Sequence, residues 1–385
     1  MIKREIEKKL IQLKSKYPVI LITGPRQSGK TTLAKKVFKN HKYINIENYD
    51  LKLQAINDPK AILELGSKNK IIIDEIQEAP ILASYIQQEV DENKIKNQFV
   101  LTGSQNFVIT QTVSQSLAGR VANLELLPFS YKELYKSKKN IDVYKIILNG
   151  FYPRKHNEKI SATDFYLDYI STYITRDIRT LKNIGNLSTF NRFLQLLAGR
   201  VGNLINFADL AKDVGISPKT IESWISILEA SYLIFKLPPY YENFNKRIIK
   251  SSKIYFTDTG LLCHLLKINK TSELKSHFAV GNIFENFIIA DYKKSIFNNR
   301  LNQNLYFYRD SSRVEVDLVI DKGVEKELIE IKSSQTFNSS MLTNLNTVEN
   351  IFSKKYKASK KVVYNGTTEL EIKDTKVKNW KSFLI

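Results

Sequence analysis

Hydrophobic and polar positions divide the chain into three regions with different patterns. In residues 1–155, short apolar runs alternate with amphipathic stretches. Apolar runs bounded by turn or polar residues are typical of strands buried in a parallel sheet, and the stretches between them are typical of helices. The predicted elements are strands at 17–23, 70–75 and 98–103 and helices at 31–40 and 80–92. This alternation favours an α/β domain with a doubly wound parallel sheet.

Residues 156–250 are predicted to be mostly helical. A helix–turn–helix pattern occupies 207–229, and its second helix is expected to begin after a capping residue, Ser217. Extended runs at 233–241 and 253–256 could pair as a small hairpin. Such a hairpin would make this middle segment a winged helix.

Residues 251–385 return to a mixed α and β pattern. A helix at 281–292 is predicted to precede three extended runs, at 305–309, 313–320 and 326–332. The sequence therefore predicts three domains, with an α/β domain at each end and a helical, winged-helix segment in the middle. The predicted boundaries are 1–155, 156–250 and 251–385.

The composition adds a strong basic charge to this picture. With 59 Lys and Arg against 39 Asp and Glu, the formal net charge is +20, which favours a polyanionic partner such as DNA. An exposed lysine-rich surface that only keeps the protein soluble is the alternative. Hydrophobic residues make up 43% of the chain, which is too many for a disordered protein.

Several classes of protein are not expected from the composition. No run of 18 apolar residues predicts a membrane span, and the segment MIKREIEKKL lacks the apolar core of a signal peptide. The single cysteine, Cys263, has no internal disulfide partner, and four scattered histidines form no clustered zinc motif. We expect a cytoplasmic protein with no membrane partner.

A phosphate-binding loop is the strongest chemical signal in the chain. Residues 24–31 read GPRQSGKT and fit G-x-x-x-x-G-K-[ST], between an apolar run and a predicted helix. Backbone N–H groups of such a loop surround phosphate oxygens, Lys30 can reach the β- and γ-phosphates, and the Thr31 hydroxyl can bind Mg²⁺. The predicted cofactors are ATP and Mg²⁺. The residues predicted to bind the nucleotide are Gly24, Pro25, Arg26, Gln27, Ser28, Gly29, Lys30, Thr31 and Thr32.

Candidate catalytic residues follow on the next strands. Asp74 is expected beside the metal and Glu75 beside an attacking water as general base, which favours hydrolysis over binding alone. Ser104 follows the next strand and could sense the γ-phosphate, unless it belongs to an ordinary turn. Arg120 or Arg176 could supply an arginine finger, in cis or from a neighbouring subunit, and a surface ion pair is the alternative for each.

A second constellation lies near the carboxyl end. Period-two alternation puts Glu315 and Asp317 on one face of a predicted strand, and Glu330 and Lys332 on one face of the next. If the two strands pair through the turn between them, Asp317 and Glu330 could hold Mg²⁺ while Lys332 orients or activates a water. Glu285 on the preceding helix could add a third carboxylate. The alternative is an ordinary solvated hairpin.

The helix–turn–helix raises the question of DNA binding. Its second helix could place Lys219 and Ser223 in a major groove. Tyr240-Tyr241 and Lys246-Arg247 in the predicted wing suit a nucleic-acid backbone. A lid or a protein contact is the alternative use of such a unit.

A series of motifs resembles a known family. In order along the chain they are GPRQSGKTTLA, IIIDEIQ, LTGSQNF, SLAGRVANLELLPFSYKEL, YITRDI, and then GNIFENFI, EVDLVI and ELIEIKSS. This series is similar to prokaryotic AAA-type ATPases whose C-terminal half is a domain of unknown function. The resemblance implies an AAA-like core, a winged-helix segment and a C-terminal domain similar to restriction-endonuclease folds. It assigns the nucleotide site to Lys30, Thr31, Asp74 and Glu75, and nuclease-like roles to Glu285, Asp317, Glu330 and Lys332.

Two hypotheses of function follow. The first is an ATPase that acts on or with DNA, in which the C-terminal domain holds or cuts the strand. The second is a nucleotide-dependent switch that grips a protein partner, with a catalytically inactive C-terminal domain. Either could work as an oligomer.

Overall fold

The structure is a computed structural model that describes residues 2–66, 70–104, 116–138, 141–174, 186–241 and 251–385. Within these residues it contains a parallel sheet, a helical middle region and a mixed sheet, in chain order. None of the described helices is long and apolar enough to cross a membrane.

The amino-terminal region is a parallel five-stranded sheet with helices around it, as predicted. The strand order is β2-β3-β4-β1-β5, and every neighbouring pair is parallel. Apolar clusters cover both faces of the sheet, which explains the continuous apolar runs in its strands. The strands are β1 (Val19–Thr23), β2 (Lys42–Asn45), β3 (Ile71–Asp74), β4 (Phe99–Gly103) and β5 (Val121–Glu125). The helices are α1 (Glu7–Lys14), α2 (Lys30–Val37), α3 (Tyr49–Asn57), α4 (Pro59–Glu64) and α5 (Leu82–Asn93).

The middle region is helical and ends in a pair of strands. Gly215 ends the first helix of the predicted helix–turn–helix at a φ of +81°, and the Ser217 side chain caps the second helix. The two predicted extended runs pair as antiparallel strands, β6 (Ile234–Leu237) and β7 (Lys253–Phe256). The helices are α6 (Tyr131–Tyr135), α7 (Val143–Asn149), α8 (Pro153–Asn157), α9 (Ala162–Asp168), α10 (Leu187–Ala198), α11 (Phe207–Val214) and α12 (Pro218–Ala230), with a π-helical turn at Tyr169–Ile174.

The carboxyl-terminal region contains a mixed six-stranded sheet in the order β12-β13-β11-β10-β9-β8. The three predicted extended runs form the antiparallel strands β8, β9 and β10, and the predicted hairpin is the pair β9–β10. A second antiparallel pair joins β12 to β13. The strands are β8 (Asn304–Arg309), β9 (Glu315–Lys322), β10 (Glu325–Lys332), β11 (Lys357–Tyr364), β12 (Leu370–Ile372) and β13 (Thr375–Asn379). The helices are α13 (Thr259–Leu265), α14 (Thr271–Ser276), α15 (Val280–Asn299), α16 (Thr343–Phe352) and α17 (Trp380–Leu384).

The largest apolar cluster crosses the predicted domain boundaries. It extends from Phe129 through the middle helices and β7 to α15, and it includes Trp380 near the carboxyl end. The packing therefore groups α6 to α8 and β7 with the middle helices, while the three-domain division itself stays a prediction.

Buried polar groups join α15 to both ends of the middle region. The Asn286 side chain accepts from the Phe256 N–H at 2.7 Å and donates to the Phe256 carbonyl at 2.9 Å. Further along the helix, Asp291 accepts from the Tyr131 N–H at 2.7 Å, and Lys294 donates to the Phe129 carbonyl at 3.1 Å. Because buried polar groups need partners, these bonds fix the position of α15.

A second buried carboxylate, Asp258, organises the middle region. It accepts from the Phe151 N–H at 2.7 Å, the Tyr166 hydroxyl at 2.6 Å and the Leu261 N–H at 2.9 Å. The Tyr166 ring packs directly on Gly260, where an added Cβ would lie 2.5 Å from Cε2 of the ring. Close packing of a ring on a glycine leaves no room for a methyl group.

We expect Gly260→Ala to destabilise the protein by about 1–3 kcal/mol, because the new methyl group would displace Tyr166 from Asp258. Gly199→Ala is the matched control, since Gly199 has helical dihedral angles and its nearest neighbour to an added Cβ is 3.6 Å away. Urea unfolding measures both. Equal midpoints for the two variants would contradict this packing.

Asp291 provides a prediction of pH dependence. Burial raises the pKa of Asp291 to about 7, against the opposing effects of Lys294 and the Tyr131 N–H. The folded protein then binds this proton more tightly than the unfolded chain, so the free energy of unfolding falls as pH rises from about 4 to 7, by at most about 4 kcal/mol. Asp291→Asn keeps an acceptor and should flatten this fall in urea titrations between pH 4.5 and 7.5. An unchanged slope would contradict the buried placement of Asp291.

Candidate functional site

The carboxyl ends of three neighbouring strands bring the predicted nucleotide residues together. Thr23 at the end of β1 pairs with Gly103 of β4, and the end of β3 lies beside β4. The phosphate loop, the acidic pair and Ser104 each directly follow one of these strands or end it. They therefore meet at the sheet edge where open α/β folds bind ligands.

The phosphate loop has the backbone conformation that its glycines allow. Gly24 has a φ of +148°, and an added Cβ would overlap the carbonyl oxygen of Leu126. Gly29 has a φ of +92° and immediately precedes α2. Both positions need glycine, so the motif fits its structural setting.

Lys30 bonds to the loop itself. Its ammonium donates to the Gly24 and Pro25 carbonyls, each at 3.0 Å. Burial lowers the pKa of Lys30, against the raising effects of Glu75 and Asp74. Because the loop carbonyls that accept from this buried ammonium are neutral, a phosphate is a suitable charged partner for it.

Asp74 is the centre of a hydroxyl cluster. Thr31 Oγ1 donates to its two carboxylate oxygens at 3.1 and 2.9 Å, and the Tyr43 hydroxyl donates to Oδ2 at 2.7 Å. Thr102 Oγ1 also donates to Oδ1. Burial and the Asp74 hydrogen bond together raise the pKa of Tyr43, so this donor keeps its proton. The hydroxyl of Thr31 and the carboxylate of Asp74 form the hard oxygen pair that Mg²⁺ prefers.

Glu75 adopts a strained conformation and is held by two neighbours. Its φ is +57°, in the left-handed region that non-glycine residues rarely adopt. Its Oε2 accepts from Gln77 Nε2 at 2.5 Å and from the Ser104 N–H and hydroxyl at 3.3 and 3.2 Å. Ser104 therefore contacts the predicted base, and strain of this kind is common at functional sites.

A pocket of about 880 Å³ opens beside the phosphate loop. Its other wall comes from the middle region, which contributes Pro153, Arg154 and Tyr173 among others. Arg154 pairs with Glu158 at 3.0 Å, and both side chains are about half exposed. The predicted binding residues that line the pocket are Arg26, Gln27, Gly29, Lys30, Thr31 and Thr32, whereas Gly24, Pro25 and Ser28 lie on the buried side of the loop.

Arg4 supports this site, although no motif in the sequence indicates it. Its guanidinium donates to the Ser28 carbonyl at 2.8 Å and the Leu127 carbonyl at 2.7 Å, and it pairs with Glu133 at 3.0 Å. Arg4 thereby ties the phosphate loop to the start of the middle region. A lone arginine in a basic segment carries no sequence signal for such a contact.

Arg120 lies away from the phosphate loop of its own chain. It immediately precedes β5, whose first residue pairs with the first residue of β1, so it lies at the opposite edge of the sheet. Its guanidinium makes a two-bond pair with Asp91, at 2.6 and 2.8 Å. This geometry favours the ion-pair alternative for Arg120 in its own chain, and an arginine finger, in cis or in a neighbouring subunit, stays a prediction. Arg176 lies outside the described residues.

The second constellation does converge. Lys332 Nζ lies 2.5 Å from Glu330 Oε1 and 3.6 Å from Asp317 Oδ2, and Asp317 Oδ2 also accepts from the Ile331 N–H at 2.8 Å. Burial and the Asp317 charge raise the pKa of Glu330, against the effect of Lys332. The predicted strand pairing therefore brings these side chains together.

A lysine from the middle region enters the same cluster. Lys253 on β7 lies 3.2 Å from Glu285 Oε1 and 2.7 Å from Glu315 Oε1, and the Tyr255 hydroxyl donates to Glu285. Although burial acts to lower it, Glu285, Asp317 and Glu315 raise the pKa of Lys253, so this side chain stays charged. Among the described residues, no group of three or more His, Cys, Asp or Glu side chains is arranged to hold a metal ion. Glu285, the expected third carboxylate of the metal site, forms an ion pair with Lys253.

The exposed face of the helix–turn–helix carries mixed charge. Lys219 is exposed and Ser223 is half-buried on α12, beside the exposed Glu222. An acidic neighbour weakens attraction to phosphate groups. Lys246 and Arg247 of the predicted wing lie outside the described residues.

Three protein-family models match successive parts of the chain. Residues 16–135 match the family described as AAA domain. Residues 140–272 match a domain of unknown function, DUF8612, and residues 280–383 match another, DUF4143. Together with the parallel sheet and its phosphate loop, the first match supports an AAA-type P-loop ATPase domain. The matches do not test the expected restriction-endonuclease-like fold.

Relatives from other organisms align with most of the length of this chain. An uncharacterized protein of Mycobacterium tuberculosis is 28% identical over 340 residues, which is 87% of this chain and 74% of that protein. An uncharacterized protein of Methanocaldococcus jannaschii is 27% identical over 369 residues, covering 86% of this chain and 77% of that protein. Among solved structures, a Walker-type ATPase of Pyrococcus abyssi is 15% identical with a TM-score of 0.45, covering 69% of this chain and 96% of that chain.

Proposed function

We propose that this protein is a Mg²⁺-dependent ATPase whose nucleotide pocket is shared by its AAA-type domain and the middle region. The observation that carries this proposal is the geometry at the sheet edge. Lys30, the Thr31–Asp74 pair and Glu75 adjoin one pocket, and α8 forms its opposite wall. A chain that only bound a nucleotide would not need a carboxylate held in a strained conformation beside that pocket.

The side chains divide the chemistry among them. Lys30 exchanges its loop carbonyls for the β- and γ-phosphate oxygens, and Thr31 and Asp74 supply oxygen ligands for Mg²⁺. Bound Mg²⁺ supplies positive charge that offsets the charge of the phosphates. Glu75 leaves Gln77 and Ser104 to accept a proton from the attacking water.

The shared pocket would couple nucleotide state to the middle region. Arg154 reaches the pocket from α8. Its ion pair with Glu158 is exposed and adds little to stability, so an anionic ligand can replace Glu158 as the partner of Arg154. A ligand bridging both walls draws them together, and its loss releases them. Hydrolysis would thus change how the middle region packs on the sheet domain.

Substitutions separate binding from turnover. Lys30→Ala should abolish the stabilisation by ATP, which for the wild type is about 2.7 kcal/mol when ATP is at 100 times Kd. Glu75→Gln should keep that stabilisation but lower kcat by about 10²- to 10⁴-fold, because only the base is lost. Thermal unfolding with ATP and Mg²⁺ and a phosphate-release assay measure the two effects.

The matched control is Glu92→Gln, the same chemical change at an exposed position on α5. It should leave both readouts unchanged. Turnover by Glu75→Gln at the wild-type rate would overturn the role of Glu75, and ATP stabilisation of Lys30→Ala would overturn the site itself.

DNA is the partner that the net charge of +20 favours, and we propose that ATP turnover is coupled to DNA binding. The alternative is a switch on a protein partner with an inactive C-terminal domain. The ion-paired state of the carboxylate cluster favours an inactive domain, since Lys253 already contacts Glu285 and Glu315. We therefore favour a C-terminal domain that holds DNA over one that cuts it. Assembly of several copies stays a prediction.

Duplex DNA distinguishes the two partners. If DNA is the partner, it should stimulate turnover, and the affinity should fall by at least about tenfold between 50 and 200 mM salt, because phosphate contacts release counterions. A rate of ATP turnover that does not change when DNA is added would favour the switch that binds a protein partner. Lys332→Ala should leave the stimulation of ATP turnover by DNA intact. If a folded Lys332→Ala variant instead lost as much function as Lys30→Ala, the hypothesis of a catalytic C-terminal site would be favoured.

A further inference from the structure

A cavity of about 260 Å³ lies where the middle region meets the carboxyl-terminal sheet. Its walls come from β6 and the proline after it, from α15, and from β8 and the residue before it. Among the described residues, the cavity shares no lining residue with the nucleotide pocket, and none of its walls comes from the carboxylate cluster. It is therefore a separate place in the fold.

A proline explains why the cavity exists. The Phe307 N–H donates to the Pro238 carbonyl at 3.1 Å, and the Tyr240 N–H donates to the Phe307 carbonyl at 2.7 Å. These bonds join the segment after β6 to β8 in a parallel bridge. Because Pro238 has no N–H, it cannot donate to the Leu305 carbonyl, and the ladder ends there. The cavity lies between the two segments on this side of Pro238, and α15 supplies its third wall.

The cavity contains a lysine without an ionic partner. Lys293 is half-buried, and its ammonium lies 4.9 Å from the centre of the Phe235 ring and 5.1 Å from that of Phe297. Within the part of the chain that the structure describes, this ammonium makes no ion pair and no hydrogen bond. Burial lowers the pKa of Lys293, against the raising effects of Glu125 and Glu229. Aromatic rings attract a cation but do not neutralise its charge, so the charge of Lys293 is left without a close counterion.

The other groups of the cavity leave this charge uncompensated. Lys236 on β6 already has a partner, since its Nζ lies 3.1 Å from Glu229 Oε2. The side-chain oxygen of Gln303 accepts from the Tyr292 hydroxyl at 2.9 Å, so its amide nitrogen is the end left for a ligand. The apolar part of the lining includes Leu237, Ile296 and Leu305. The cavity thus offers one cation, one amide donor and apolar walls.

We propose that this cavity binds a small organic anion, a carboxylate or phosphate on an apolar or aromatic body, with Lys293 as its charge partner. A buried charge is costly unless it is paired, and an anion in the cavity supplies the missing partner. The volume lies just below the range of about 300–1,000 Å³ that is usual for drug-sized ligands, so the ligand has about the size of one ring with its acidic group. A ligand in this place contacts β6 and β8 together and bridges the two regions. The proposal does not rest on the ATPase activity.

Two fluorinated probes distinguish the head groups. Para-fluorobenzoate and para-fluorophenyl phosphate are each titrated into the full-length protein without nucleotide, and binding is followed by fluorine NMR. All proteins carry Lys30→Ala, which removes the cation of the phosphate loop, so that neither probe is held there. We expect saturable binding of at least one probe, at one site per chain, with a Kd of about 1 mM or lower. Para-fluorobenzyl alcohol, which has the same ring and no charge, should bind at least about tenfold more weakly.

Substitutions locate the bound probe. Lys293→Met removes the charge at similar length and should weaken binding by at least about tenfold. Leu305→Trp keeps Lys293 but fills the cavity, and it should weaken binding by a similar factor. Lys219→Met is the matched control, because it is the same change at an exposed position on α12 and should leave the affinity unchanged. Urea unfolding checks that each variant is folded, and Lys293→Gln replaces Lys293→Met if that variant is not.

Three results would overturn the proposal. The first is a folded protein that binds neither anion. The second is binding that persists in both the Lys293 variant and Leu305→Trp, since the probe would then lie elsewhere. The third is equal affinity for the alcohol and the anions, which would make the cavity an apolar space in which Lys293 has no role.

Discussion

A helix with no solvent-exposed face must satisfy its polar side chains inside the protein, and α15 depends on this constraint. Residues 283–291 are all buried, and they include Glu285, Asn286 and Asp291. Their partners are Lys253 and Phe256 on β7 and Tyr131 at the start of α6. Because an unpaired buried group costs more than a paired one gains, α15 has to pack on the middle region in a position where all of these groups are satisfied. The position of the C-terminal sheet relative to the middle region follows from this helix.

The nucleotide pocket and the carboxylate cluster share a principle of construction. In each, one region supplies a preformed set of charged side chains and the middle region adds a cation, Arg154 at the first and Lys253 at the second. The two cations differ in burial, since Arg154 is half exposed and Lys253 is almost fully buried. A displaceable arginine suits a site that binds and releases a ligand. A buried lysine suits a permanent contact.

Local chemistry explains which features the sequence could predict. The phosphate loop, the strand ends and the β9–β10 hairpin depend on glycine, turn residues and alternation within short windows, and the structure contains all three. Contacts between segments that are far apart in the sequence have no comparable local pattern from which they could be predicted. Arg4 bonds to Leu127 across 123 positions, and Lys253 reaches Glu285 from another region. The helix predicted at 281–292 continues to Asn299, because tertiary burial and not amphipathic spacing stabilises its last turns. Sequence alone left the two uses of Arg120 open for a similar reason, since its place at one edge of the sheet depends on strand register.

The contacts of Arg4 have a practical consequence for handling the protein. Ile2 and Arg4 line a small cleft together with Ser28 and Gly29 of the phosphate loop. An affinity tag fused directly before these residues therefore lies against the nucleotide pocket, where its own charges change the field at Lys30.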